Sequence, residues 1–85
     1  MISPIPMEWV DKIFNCLEVF YGERWNRLFK DDHHLNFYKT IWKNGLSGLD
    51  YDQIKHALLL CKRDALQAMA TAPTVMEFFR YAKKQ

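Results

Sequence analysis

The strongest fold signals in this 85-residue chain lie in the segment Trp42–Phe79, WKNGLSGLDYDQIKHALLLCKRDALQAMATAPTVMEFF. The segment opens with the end of a helical pattern and a turn that contains two glycines. Asp50 with Gln53, and Thr74 with Glu77, then have the spacing of capping boxes, whose side chains bond free backbone N–H groups at a helix start. The segment therefore predicts a helix end, a turn, a complete helix, a loop and a second capped helix.

Upstream, apolar residues recur every three or four positions over Met7–Tyr21, which predicts an amphipathic helix. Gly22 can end this helix because glycine adopts the left-handed conformation common at helix C-termini. A short helical turn is expected over residues 23–29. Two prolines disfavour a helix in residues 1–6, so these residues are expected to form an N-terminal arm.

A third helical pattern follows the acidic pair Asp31-Asp32, either of which can cap it, and runs to about Asn44. Gly45 is expected to stop this helix because glycine tolerates a positive φ. The residues expected to face inward from this helix are Leu35, Tyr38, Ile41 and Trp42.

The helix that Asp50 caps has a clear apolar stripe, and its favourable helix propensity allows it to continue to about Met69. Its inward residues are expected to be Ile54, Ala57, Leu58, Cys61 and Ala65. The last helix should bury Val75, Phe78, Phe79 and Ala82. Since no strand-like alternation occurs, the fold class predicted for residues 7–85 is all-α, a compact orthogonal bundle of four to five helices in one domain.

Composition supports a rich core and no obvious charged partner. Hydrophobic residues make up 49% of the chain, with three Trp, four Tyr and six Phe, and the net charge is only +2. The charge is uneven, because residues 1–53 carry six cations and eight carboxylates, whereas residues 54–85 carry six cations and two carboxylates. This asymmetry indicates either a basic face on the C-terminal half or cations placed favourably near helix C-termini.

The residues that could support catalysis have structural explanations, so the chain is expected not to be an enzyme and to need no cofactor. His33 and His34 are adjacent and would project in different directions from a helix, which disfavours a shared metal ion. Cys16 and Cys61 lie in apolar stripes, where burial makes a thiol unreactive. Without a signal peptide or a Cys-x-x-Cys pair, the chain is expected to be cytoplasmic with reduced thiols, and no membrane segment is expected.

The candidate contacts are surface cations and aromatic rings on the last two helices. Lys55 and Lys62 are seven residues apart and should share a helix face. If the two helices pack side by side, their cations could form one stripe that binds phosphates or an acidic partner, with neighbouring rings stacking on single-stranded bases. The rings that could stack are Tyr51, Tyr81 and Trp42. The alternative is a solvated surface, with Trp42 in the core and the tyrosines half-buried. The candidates are Lys55, Lys62, Arg63, Arg80, Lys83, Lys84, Tyr51 and Tyr81.

Four sequence elements also occur in a distinctive order: Phe20-Tyr21-Gly22-Glu23-Arg24-Trp25, then Trp42 ahead of Gly45-Leu46-Ser47, then Ile54 to Leu58 with Cys61, and last Pro73-Thr74 with Glu77-Phe78. In this order the chain resembles the small helical domain of phage-type replication proteins, the group related to the phage lambda replication protein P, a helicase loader. The resemblance extends over about residues 10–81.

The resemblance implies a replication-accessory domain that docks on a replicative helicase or an initiator, and it leaves single-stranded DNA binding open. Loaders of this group carry further segments that engage the helicase, so we expect a docking module of phage or mobile-element type. The alternative is a small bacterial or phage adaptor or inhibitor that acts only through protein–protein contacts. The sequence leaves homodimerisation open, because its aromatic residues exceed what some small cores need.

Overall fold

Five helices, and no strands, make up the described part of the chain in the computed structural model, which covers residues 3–84. They are α1 (Met7–Tyr21), α2 (Glu23–Asn26), α3 (Asp32–Gly45), α4 (Tyr51–Ala65) and α5 (Val75–Lys83). Helix α4 packs against α1 and α5, α3 packs against the same two helices, and α2 packs on α1. The predicted compact all-α bundle is therefore confirmed. Residues 1–2 of the predicted arm and Gln85 lie outside the described residues.

The helix starts are fixed by the side chains that the sequence predicted. The Asp31 carboxylate caps α3 by accepting a bond of 2.8 Å from a backbone N–H one turn into the helix. At α4, Asp50 and Gln53 each accept a backbone N–H bond from the other, at 2.8 and 2.9 Å. Thr74 and Glu77 form the same reciprocal pair at α5. Both predicted capping boxes are confirmed.

The core is organised around the ring of Trp42, which is only 2% exposed. Its ring centroid lies 5.3 Å from that of Phe14 on α1, 5.8 Å from that of Trp25 on α2 and 5.3 Å from that of Phe78 on α5. Phe14 and Trp25 also meet edge to face at 5.0 Å. One cluster of aromatic rings, Phe14, Trp25, Trp42 and Phe78, thus joins four of the five helices.

The N-terminal arm is packed onto the bundle. Ile5 is buried, and its backbone N–H donates to the carbonyl oxygen of Lys43 at the end of α3, at 3.3 Å. The carbonyl oxygen of Ser3 accepts a bond of 3.3 Å from the N–H of Gly48 in the next turn. The arm therefore covers the connection between α3 and α4.

Three predicted features of the helices were wrong. Ile41 was expected to face inward but is 40% exposed, because it lies one turn after the exposed Phe37, on a side of α3 that no helix covers. Helix α4 ends at Ala65 and does not continue to Met69, which is 93% exposed. The expected burial of both cysteines holds for Cys61, whereas Cys16 is only partly buried.

The side chain of Arg24 binds the end of α4 and the turn that follows it. The two Nη atoms of Arg24 donate to the carbonyl oxygens of Ala65, Gln67 and Ala70 at 2.8, 3.0 and 2.9 Å. These bonds satisfy carbonyls at the helix end and in the following turn, which have no partner within the helix. A cation in this position also interacts favourably with the negative end of the helix dipole. Arg24 thereby stabilises the end of α4 and the turn after it.

The two glycines that end helices do so for different reasons. Gly22 ends α1 as predicted, with a φ of +59° and a ψ of −125°, and its N–H donates to the carbonyl oxygen of Glu18 at 2.8 Å. Gly45 does not adopt a positive φ, so the reason predicted for it was wrong. A Cβ atom at Gly45 would lie 2.9 Å from Cγ2 of Val75. Glycine at this position allows α3 to approach the start of α5.

We expect Gly45→Ala to lower the free energy of unfolding by about 1 kcal/mol, because overpacking against Val75 outweighs the better helix propensity of alanine. In the Val75→Ala background the same change should become neutral or stabilising, since the clashing methyl groups are gone. Urea unfolding of the four proteins in this double-mutant cycle measures the coupling. An equal effect of Gly45→Ala in both backgrounds would contradict the close-approach explanation.

Replacing Arg24 by Gln should lower the free energy of unfolding by about 2 kcal/mol, because hydrogen bonds made by a charged group to helix-end carbonyls are lost. Arg27→Gln is the matched control, since Arg27 is exposed and lies one turn further along the chain. Thermal or urea unfolding followed by circular dichroism compares the two variants. Equal stabilities would show that the Arg24 bonds contribute nothing.

Candidate interaction surface

Helices α1 and α4 lie side by side and run in the same direction. Near their starts, the rings of Trp9 and Tyr51 meet edge to face with centroids 5.7 Å apart. Near their ends, the hydroxyl of Tyr21 donates to the carbonyl oxygen of Cys61 at 3.2 Å. These contacts fix the register of the two helices and leave a shallow groove along the outside of their junction.

This α1–α4 groove combines apolar side chains with cations. Its wider and more open part, between Phe20 and the second half of α4, has a volume of about 270 Å³, and a narrow, more enclosed part of about 30 Å³ lies beside Trp9 and Tyr51. The residues that define the groove are Trp9, Lys12, Phe20, Tyr51, Lys55, Leu58, Leu59 and Lys62. Three of the predicted contact residues, Tyr51, Lys55 and Lys62, are thus brought together here.

A second group of predicted residues lies on α5. Arg80, Tyr81 and Lys84 border a depression of about 330 Å³ together with Glu77. The Tyr81 hydroxyl donates to Oδ2 of Asp64, and the Lys84 ammonium lies 6.0 Å from the centroid of the Tyr81 ring. Because two carboxylates adjoin this group, its positive charge is partly compensated.

The two remaining predicted residues belong to neither depression. Lys83 places its ammonium 5.6 Å from the centroid of the Phe79 ring. Arg63 is exposed, and its Nη2 lies 3.4 Å from Oδ1 of Asp64. Both side chains therefore have local partners within the chain.

The cations do not form the single stripe that was considered for side-by-side packing of α4 and α5. Asp64 is the α4 residue that meets the Tyr81 hydroxyl of α5, whereas Lys55 and Lys62 lie on the flank of α4 that adjoins α1. The predicted common face of Lys55 and Lys62 is confirmed. Lys55 and Lys62 do not form one stripe with Arg80 and Lys84, and the cations instead lie in two separate groups.

The lysines of the α1–α4 groove are not ion-paired within residues 3–84. The ion pairs in this part of the chain join Lys39 to Asp11, at 3.0 Å, and Arg63 to Asp64. The ammonium groups of Lys12 and Lys55 lie 5.9 and 5.7 Å from the centroid of the Tyr51 ring, which is within cation–π distance. Three cations thus adjoin the groove without a carboxylate partner among the described residues.

One aliphatic side chain between the α4 lysines is strongly exposed, and another lies further along the exposed side of α1. Leu59 is 66% exposed between Lys55 and Lys62, and Val19 is 80% exposed, seven residues after Lys12 on α1. Sequence reasoning did not select Lys12, Val19, Phe20 or Leu59. Helical spacing groups Leu59 with Lys55 and Lys62 on one face of α4, but only the packing of α1 on α4 brings Lys12 and Phe20 next to that face.

A different apolar groove, of about 400 Å³, lies between α3 and the segment that leads into α5. Its exposed wall includes Leu28, Phe37 and Ile41, and Pro73 and Val75 border its other side. No Asp, Glu, Lys or Arg lines it. This groove was not predicted from the sequence.

The histidine and cysteine side chains that were considered for metal binding or catalysis are engaged or buried within the fold. Nδ1 of His34 accepts a bond of 3.1 Å from the N–H of Lys30, which ties the histidine to the loop before α3. Burial, followed by the nearby carboxylates, raises the pKa of the Cys61 thiol to about 12. Among residues 3–84, no three His, Cys, Asp or Glu side chains are grouped so that they could bind a metal ion.

Two tyrosines next to Cys61 also resist ionisation. The hydrogen bond to Asp64, with a further contribution from burial, raises the pKa of Tyr81 to about 12. Burial is the main reason that the pKa of Tyr21 also rises, and the Cys61 thiol and Asp64 add to it. Where α1, α4 and α5 meet, the neutral forms of Tyr21, Cys61 and Tyr81 are therefore favoured.

Comparisons of this chain with protein-family models, with curated proteins and with solved structures found no match. The resemblance to phage-type replication proteins accordingly stays a prediction from the sequence. Within residues 3–84, every helix is too short or too polar to cross a membrane.

Stability should fall between about pH 9 and pH 12, because the folded pKa values of Cys61 and Tyr81 exceed their unfolded values of 9.0 and 10.0. A group with a raised folded pKa contributes fully below its unfolded pKa, and its contribution is lost as the pH rises through the folded value. Urea unfolding across this range should show the decline, with a shallower slope for Tyr81→Phe above about pH 10. Stability that is constant up to pH 12 would contradict these shifts.

Proposed function

We propose that this chain is a non-enzymatic docking module of phage or mobile-element replication type, which binds a replicative helicase or an initiator through the α1–α4 groove. The observation that carries the proposal is the exposure of Leu59 between Lys55 and Lys62, in a groove that Lys12 also borders. The identity of the partner class rests on the sequence resemblance.

The exposed aliphatic side chains serve no evident purpose in the fold. The core is filled by the aromatic cluster around Trp42 and by buried aliphatic residues of α1 and α4. Leaving Leu59 in water forgoes part of the roughly 1.5–3 kcal/mol that burial of such a side chain supplies. Contiguous exposed apolar surface with a polar border is typical of protein–protein contact sites.

The reactive residue types support a binding role over catalysis. The thiol of Cys61 is buried and its pKa is raised, which removes the thiolate that a nucleophile needs. The carboxylates of Asp31 and Asp50 accept backbone N–H bonds at helix starts. These two carboxylates are thereby engaged in capping helices.

A protein partner fits the groove better than single-stranded DNA does. Binding of single strands relies on aromatic rings that are free to stack on bases. Tyr51 instead has the edge of Trp9 against it and two ammonium groups near its ring. Leu58 and Leu59 offer aliphatic contacts, which match protein side chains and give bases little to stack on.

Titration of the labelled chain with purified bacterial replicative helicase, and separately with initiator, should show saturable binding by fluorescence anisotropy. Leu59→Glu should weaken that binding about tenfold, since it removes an apolar contact and adds a charge of the wrong sign. Met76→Glu is the matched control, because Met76 is 65% exposed on α5 outside the groove. A labelled single-stranded oligonucleotide at low salt should give no comparable response.

Failure of both replication proteins to bind would contradict the replication assignment. A partner of another kind that is captured by the wild-type chain and lost with Leu59→Glu would then support the adaptor or inhibitor. An equal effect of Leu59→Glu and Met76→Glu would contradict the groove as the docking site.

A further inference from the structure

We infer that the segment which occupies the α1–α4 groove is an acidic amphipathic helix of the partner, lying lengthwise between α1 and α4. This inference rests on the proposed docking function and specifies the chemistry of the partner. It is carried by the length of the groove, by its apolar floor and by the positions of its three lysines.

The dimensions of the groove fit a short helix. Along α4 it extends from Tyr51 to Lys62, a rise of about 16 Å at 1.5 Å per residue, which corresponds to three helical turns. Its wider part, lined by Phe20, Leu58 and Leu59, is a shallow apolar surface of about 270 Å³ against which one or two large apolar side chains can pack. A helix that binds in a groove supplies such anchors at spacings of three, four and seven residues.

The charges specify which kind of helix fits. Lys55 and Lys62 are seven residues apart on one wall, about 10 Å along the helix axis. Lys12 lies on the opposite wall. Carboxylates seven residues apart on a partner helix would face the α4 lysines in register, and a carboxylate on its other flank would face Lys12. Since none of these lysines has a carboxylate partner within residues 3–84, the partner can supply the missing charge.

Other ligand classes account for fewer of these features. Addition of a peptide strand needs an exposed sheet edge, and residues 3–84 contain no strand. A phosphate backbone would pair with the lysines but would leave Leu59 in water. An anionic bilayer would bury the exposed Leu59 but would not fill the narrow recess beside Trp9 and Tyr51.

The test uses a fluorescein-labelled helical peptide of about four turns, with leucines at spacings of four and three residues and glutamates seven residues apart on both flanks. The wild-type chain should bind it, with affinity that decreases as salt increases. The double variant Lys55→Glu/Lys62→Glu should bind about tenfold more weakly, and a peptide with lysines in place of its glutamates should recover the loss. Lys83→Glu/Lys84→Glu carries the same charge change outside the groove and should behave as wild type, with circular dichroism checking that all variants are folded.

Three outcomes would overturn the inference. Equal binding of a peptide with the same composition but scrambled order would show that charge alone is recognised. Displacement of the peptide by single-stranded DNA, or by vesicles of phosphatidylserine and phosphatidylcholine, in a manner that Leu59→Glu abolishes, would assign the groove to those ligands. If the lysine peptide does not recover binding to the charge-reversed variant, the proposed pairing of partner carboxylates with Lys55 and Lys62 is contradicted.

These outcomes are separate from those for the docking function. If helicase or initiator binds and the charge-reversed variant binds equally well, the docking function stands and the helix-in-groove inference fails. If the peptide behaves as expected and neither replication protein binds, the helix-in-groove inference is supported and the replication assignment is contradicted.

Discussion

The packing of aromatic rings around Trp42, edge to face with Phe14 and Trp25 and tilted against Phe78, is the constraint on which the other features depend. The ring of Trp42 contacts rings from α1, α2 and α5, so a single side chain on α3 links four helices. Each such pair contributes about 0.5–1.5 kcal/mol beyond the burial of its surface. In a chain of 85 residues, where the core is necessarily small, this cluster provides the cohesion that a disulfide or a metal ion provides in other small folds.

Local features then set the boundaries of the helices that pack around this cluster. The Arg24 side chain holds the end of α4, and the absence of a side chain at Gly45 lets α3 approach α5. The Tyr21 hydroxyl fixes α1 against α4 by its bond to the carbonyl oxygen of Cys61. With α1 and α4 held parallel in this register, Lys12 faces Lys55 across an apolar floor. The proposed docking surface is thus a consequence of how the core positions these two helices.

The sequence predicted those features that depend on neighbours along the chain. The capping boxes at Asp50 and Thr74 and the helix-ending Gly22 involve partners within four residues, and all three are found. The exposure of Ile41, the binding of Arg24 to the end of α4 and the role of Gly45 depend on residues that are distant in sequence, and periodicity does not report them. The same holds for the candidate site. The common face of Lys55 and Lys62 follows from helical spacing, whereas their separation from Arg80 and Lys84 depends on which flank of α4 meets α5.

The central claim is that the rings form a closed interior and that recognition takes place on the outside, between α1 and α4. A ¹⁵N–¹H spectrum of the chain, recorded during titration with the acidic helical peptide, tests both parts at once. The account predicts that shifts concentrate at the backbone amides of Tyr51, Lys55, Leu59 and Phe20, while the indole signal of Trp42 stays in place. A large shift of the Trp42 indole signal with little change along α4 would contradict it.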